Sequence, residues 1–167
     1  MEITRTIDKS AILTPKPCFT TMEYAGKLIY SSSGKPLPDP SLYRRLMGKL
    51  LYLTHTRPGL SVSAGYLEQF LSNPTNMYLE GDKRILKYLK GSISVGIFFS
   101  IDCDFKVKGY TNSDSGGCPD TRRSVFGYYF YIGNSLVSRK SKKRRVMAKS
   151  STKAEYRALA LVGCEAL

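Results

Sequence analysis

The sequence predicts an α/β protein of the α+β kind, and three observations carry that prediction. Apolar residues recur at three-to-four spacing from Asp39 to Lys90, Gly91 interrupts them, and from Val95 onward they fall in short runs rich in aromatic and β-branched side chains. Helices therefore come first, in residues 39–91, and a largely antiparallel sheet with one trailing helix follows in residues 92–167. Residues 1–38 read as an irregular linker, because Thr14 to Asp39 is dense in Pro, Gly and Ser.

In chain order, Asp39 can cap the first helix and Pro40 suits its first position. Leu42, Leu46, Leu50 and Leu53 form its apolar stripe, which Tyr43, Met47 and Leu51 broaden, and it must stop before Pro58. A second helix, from Leu60 to Leu71, buries Leu60, Ala64, Leu67 and Leu71 before Asn73-Pro74 breaks it. The third, from Asn76 to Lys90, turns Ile85, Leu86 and Leu89 inward with Gly91 as its C-cap. Asp82 shares that apolar face, where an unpaired carboxylate costs stability if buried.

Val95 to Ser100 is an apolar strand candidate. The strand from Val107 to Thr111 then delivers Asn112 and Asp114 at its C-terminal end. Phe126 to Ile132 and Leu136 to Ser138 flank Gly133-Asn134 as a hairpin or meander, and Val146 to Lys149 add a further strand segment. Ser150 or Ser151 starts the last helix, with Glu155 in about its first turn. Gly116-Gly117 lacks the context of a phosphate loop and reads as a turn.

Composition narrows the function. A net charge of +13 on 167 residues, spread over both halves of the chain, points to a polyanionic partner. The single histidine, His55, excludes Ser-His and Cys-His catalytic pairs elsewhere and any His-rich metal cluster. Cys18, Cys103, Cys118 and Cys164 form no CxxC pair and read as free thiols of a reducing compartment. No signal-peptide core and no membrane span is present, so the expectation is a non-secreted, intracellular chain without a membrane partner.

The run Arg139 to Arg145 has six basic residues in seven, consistent with a solvated turn, a nucleic-acid contact or a nuclear-import signal. Lys140, Lys142, Lys143, Arg144 and Arg145 are its candidate contacts. Arg122 and Arg123 either pair with Asp120 or touch a nucleic-acid backbone.

GYTNSDSGGCPDTRRSVFGYYFYIG, SLVSRKSKK and SSTKAEYRALA resemble the start of the ribonuclease H domain in the Pol polyprotein of copia-type plant retrotransposons. YRRLMGKLLYLTHTRP, LSNPT and KRILKYLKGS resemble the segment connecting that domain to the reverse transcriptase palm, and the similarity runs from about residue 14 onward in family order. The resemblance implies a ribonuclease H-like sheet, preceded by a three-helix connection over 39–91 and truncated after one helix. It also implies an RNA–DNA hybrid, or another nucleic acid, as the partner. For Arg44, Arg45, Lys49 and Arg57 it implies nucleic-acid backbone contact, the alternative being a solvated helix face.

In the intact family enzyme, carboxylates hold Mg2+ ions that clamp the attacking water and the leaving oxygen. The resemblance puts one of these carboxylates on position 112, where this chain has Asn, and another on Glu155, leaving the remaining two beyond Leu167. Leu79, Ser115 and Arg139 stand where the family commonly carries Trp. The expectation is an inactive relic of a Pol polyprotein, with no cofactor in this chain and the first strand left as an unpaired edge. Two alternatives stay open: a basic nucleic-acid-binding module without catalysis, and part of an active hybrid nuclease in a longer chain.

Overall fold

The computed structural model describes residues 16–22, 34–101, 104–113, 124–143 and 150–165. An N-terminal helical unit is followed by a small antiparallel sheet and a trailing helix, the α+β arrangement expected. Among the described residues no helix is long and apolar enough to cross a membrane.

Helix α1 spans Ser41–Leu53. The Asp39 carboxylate accepts the Ser41 N–H at 2.9 Å, so Asp39 supplies the cap although Pro40 occupies the capping position. Tyr43, Leu46, Met47, Leu50 and Leu53 are buried. Leu42, counted in the stripe by spacing, is exposed instead, because at 100° per residue it shares the outer row with Arg45, Lys49 and Tyr52.

A 3-10 turn, Pro58–Leu60, leads into α2, Ser61–Glu68, which is shorter than expected. Phe70, rather than Leu71, closes its buried row and stacks on Tyr78 at 3.9 Å between ring centroids. Helix α3, Asn76–Gly91, completes the unit. The Tyr43 hydroxyl donates to the Leu67 carbonyl at 2.7 Å, tying α1 to the end of α2 inside the core.

Asp82 lies on the buried face of α3 with no exposed surface, and among the described residues neither carboxylate oxygen has a hydrogen-bond partner. Burial pushes its pKa up to about 8; burial first, and then the Asp82 charge, hold the Tyr43 phenol above the ordinary tyrosine range.

Part of the linker is anchored to this unit. Pro36 forms an antiparallel bridge with Thr75, and Leu37 N–H donates to the Pro74 carbonyl at 3.0 Å. Upstream, Ser63 Oγ donates to Thr21 Oγ1 at 2.6 Å, and Arg84 donates to Thr20 Oγ1 at 2.9 Å.

The sheet has the order β1-β2-β3, with β1 Val107–Ser113, β2 Val125–Ile132 and β3 Ser135–Lys143, all antiparallel. Gly133, at φ 59°, takes the left-handed backbone that the tight β2–β3 turn requires. Among the described residues β1 pairs with β2 alone and is an edge strand.

Two strand expectations need correction. Residues 95–100 form no strand: Val95, Phe98 and Phe99 are exposed, and no described strand edge pairs with them. Conversely β3 continues past Ser138 through Lys143, so the first five residues of the basic run are strand and not turn. Lys140 pairs with Tyr128 and Lys142 with Phe126, where long lysine stems can lie along apolar neighbours at a charged sheet edge. The segment 146–149 lies outside the described residues.

Helix α4, Ser151–Glu165, covers one face of β1 and β2 through Ala154, Ala158 and Val162. Ala158 and Val162 meet Phe126, Tyr128 and Phe130, which alternate along β2. Gly109 permits the close approach: a Cβ there would sit 3.0 Å from Phe130 Cε1 and 3.7 Å from Val162 Cγ1. Helix α2 and the 3-10 turn lie against β3, and a Cβ on Gly65 would be 3.7 Å from the Ser141 carbonyl.

Candidate functional site

Ser150 Oγ accepts the Lys153 N–H at 3.3 Å and caps α4, which places Glu155 in the second turn instead of the first. From there the Glu155 carboxylate reaches the C-terminal end of β1 and accepts the Ser113 N–H at 3.1 Å. At the other end of α4, Glu165 accepts the Tyr128 hydroxyl at 3.1 Å; burial first, and then that carboxylate, raise the phenol's pKa. Two carboxylates thus fix α4 to two different strands.

Asn112 precedes Ser113 and pairs with Gly127; it shares that end of β1 with the Glu155 contact, but the alternation of the strand puts its side chain on the face away from α4. Asn112 itself is exposed. Among the described residues no three His, Cys, Asp or Glu side chains come together. One carboxylate, already accepting a backbone N–H, and one neutral amide do not fit a pair of divalent cations, whose oxygen cages are rich in charged carboxylates. Asp114 and Asp120 lie outside the described residues.

The basic residues divide into three groups. Arg44, Arg45 and Lys49 are exposed on the outer side of α1, and Arg44 Nε donates to the Leu71 carbonyl at 3.2 Å. Arg57 is buried: its guanidinium donates to the Ile93 carbonyl at 2.5 Å and to Ser92 Oγ at 3.3 Å, and burial lowers its pKa. That places it inside the protein, holding the chain where it leaves α3, and not on the outer face with the other three.

The third group lies on β3. Between α2 and β3 runs a cleft of about 660 Å³, bordered by His55 and Glu68 on the helical side and by Arg139, Lys140, Lys142 and Lys143 on the strand. Lys140 and Lys142 are exposed, and among the described residues no carboxylate pairs with them or with Lys143. His55 sits at the junction: it borders the cleft and meets Tyr52 edge-on at 6.3 Å, next to the Arg45 and Lys49 row of α1. Arg122, Arg123, Arg144 and Arg145 lie outside the described residues.

The cleft escaped the sequence reading because it needs α2 beside β3, a long-range contact for which neither segment carries a local signal. Gly65, the close point between them, would have been the clue.

The chain is 38% identical over 157 residues to the retrovirus-related Pol polyprotein from transposon RE2 of Arabidopsis thaliana, which covers 94% of this chain and 11% of the polyprotein. It is 36% identical over 159 residues to an uncharacterized mitochondrial protein of the same plant, covering 95% of this chain and 65% of that one. A secreted RxLR effector protein of Plasmopara viticola is 38% identical over 126 residues, 75% of this chain and 89% of the effector. No family model matches the chain, and no solved structure matches it.

Proposed function

The chain belongs by homology with the Pol polyproteins of retrotransposons, and from that premise we propose that residues 92–167 are part of a ribonuclease H-type region without catalysis, which keeps a nucleic-acid surface. Residues 39–91 are then the connection segment from reverse transcriptase.

The observation that carries this reading is the hydrogen bond from Ser113 N–H to Glu155, beside Asn112. It joins a strand end and a helix carboxylate, the two places from which such a nuclease draws acidic ligands. With Asn at 112 the pair supplies one negative charge where hybrid cleavage requires several, and a neutral amide cannot stabilise the metal ions that balance charge developing on the scissile phosphate. What this chain's residues do instead is structural: Glu155 fixes α4 to β1.

The cleft bordered by Lys140, Lys142 and Lys143 supports the binding half of the proposal. Cations along a strand neutralise phosphates without reading sequence, so the partner is a nucleic-acid backbone, with the RNA–DNA hybrid as the favoured form.

The test is release of labelled RNA from a hybrid in magnesium or manganese, with Glu155→Gln as the control for contaminating nuclease, beside a hybrid-binding titration at several salt concentrations. Salt-sensitive binding without cleavage is expected. Cleavage that Glu155→Gln abolishes overturns the inactive reading, and absence of saturable binding at low salt overturns the binding one.

A further inference from the structure

Apart from Asn112 and Arg139, the face of the sheet opposite α4 takes no part in the site above. Lys108, Tyr110 and Asn112 alternate along β1 on that face, and their register partners on β2 are Tyr131, Tyr129 and Gly127. Tyr110 is 57% exposed, and its ring meets that of Tyr131 edge-on, with centroids 5.9 Å apart. From β3 the Arg139 guanidinium lies over the Tyr129 ring, 4.9 Å from its centroid. Lys108, the three tyrosines, Gly133 and Asn134 line an open hollow of about 530 Å³.

We propose that this face binds single-stranded nucleic acid, with unpaired bases stacking on Tyr110 and Tyr131 and with Lys108 and Arg139 holding the flanking phosphates. The chemistry of the lining selects that occupant. Among the described residues no aliphatic side chain lines the hollow, which sets it apart from the apolar pockets that anchor a protein partner. It offers aromatic faces interleaved with cations, the combination that takes bases of any sequence along a charged backbone. The charge fits as well, since the chain as a whole carries +13.

Arg139 also borders the cleft between α2 and β3, so the two surfaces meet at one residue. A hybrid resting in the cleft can therefore continue as an unpaired strand across the tyrosines. The proposal deepens the nucleic-acid reading and rests on it.

The experiment titrates the full chain with two fluorescein-labelled probes, oligo(dT) and a blunt RNA–DNA hybrid, and follows anisotropy. Tyr110→Ala and Tyr131→Ala should each weaken oligo(dT) binding by about 5- to 100-fold and leave hybrid binding unchanged. Lys140→Ala with Lys142→Ala should weaken hybrid binding whether or not the tyrosines matter. Equal losses on both probes, or no loss on oligo(dT), overturn the platform while leaving the cleft standing; failure of the hybrid to bind the unaltered chain removes the reading beneath both. A change in sedimentation on Tyr110→Ala with oligo(dT) binding intact assigns the face to a second copy of the chain and overturns the proposal. A readout that needs no substitution is photocrosslinking to 5-iodouracil oligonucleotides: crosslinks at Tyr110, Tyr129 or Tyr131 support the platform, and crosslinks confined to other residues overturn it.

Discussion

The Glu155 carboxylate accepts the Ser113 backbone N–H at 3.1 Å, across 42 residues of chain. The Glu155 side chain is thereby a strut between α4 and β1. Glu155→Ala should lower the stability of the unit by about 1.5 kcal/mol in urea unfolding, as expected for a lost charge-assisted hydrogen bond. Asn112→Asp should restore no RNA cleavage in the fragment-release assay, since two carboxylates remain too few for two cations.

Asp82 makes stability depend on pH with an unusual sign. Its folded pKa of about 8 lies above the ordinary value of 3.8, so the folded state holds the proton longer than the unfolded chain does. Its favourable contribution is therefore complete below about pH 4, falls as pH rises toward 8 and is level beyond, with a slope of at most about 1.4 kcal/mol per pH unit. Melting temperature measured from pH 4.5 to 8.5 should drop in the natural chain and stay flatter in Asp82→Asn. Asp82→Ala should raise stability at pH 8 by about 1–3 kcal/mol, because no buried carboxylate then lacks a partner.

Salt dependence separates the cations. Replacing Lys142 by Ala should weaken hybrid binding and reduce the slope of log affinity against log salt by about 1. Arg57→Ala should leave that slope unchanged and lower the unfolding midpoint instead, since its guanidinium is engaged with Ser92 and Ile93.

Gly109→Val should destabilise the sheet unit, by about 1–3 kcal/mol, because the added carbons must displace the Phe130 ring or lift α4 from β1. Thermal unfolding reads the loss. The helical core around Tyr43 and Leu50 should be unaffected when its hydrogen exchange is followed separately.

What was legible in the sequence was local. The three-to-four spacing of Leu46, Leu50 and Leu53 and the aromatic run at 126–132 reported their own elements, because a helix stripe and a buried strand each show their period within a dozen residues. Asp82 stood out as one charge in an apolar row, and the core does enclose it. Leu42 was misassigned because a run of leucines fits more than one helical row, and only the packing of α2 and α3 chooses Tyr43 as the centre. Residues 95–100 have strand composition but no pairing partner among the described residues, and pairing is a tertiary property. Lys140 and Lys142 concealed the length of β3, since charge at a sheet edge resembles a loop until the register is known.

Arg57 determines more than the packing around it. Its donors end on Ser92 and on the Ile93 carbonyl, at the point where the backbone emerges from α3 and heads for the sheet. The direction of that exit is set by a side chain 36 positions earlier, in the loop after α1. The helical unit thus aims the chain that follows it, as a rudder fixed near the bow would steer the stern. A substitution at Arg57 would be felt first at that exit, where the backbone at Ile93 and the Ser92 hydroxyl lose the donors that hold them.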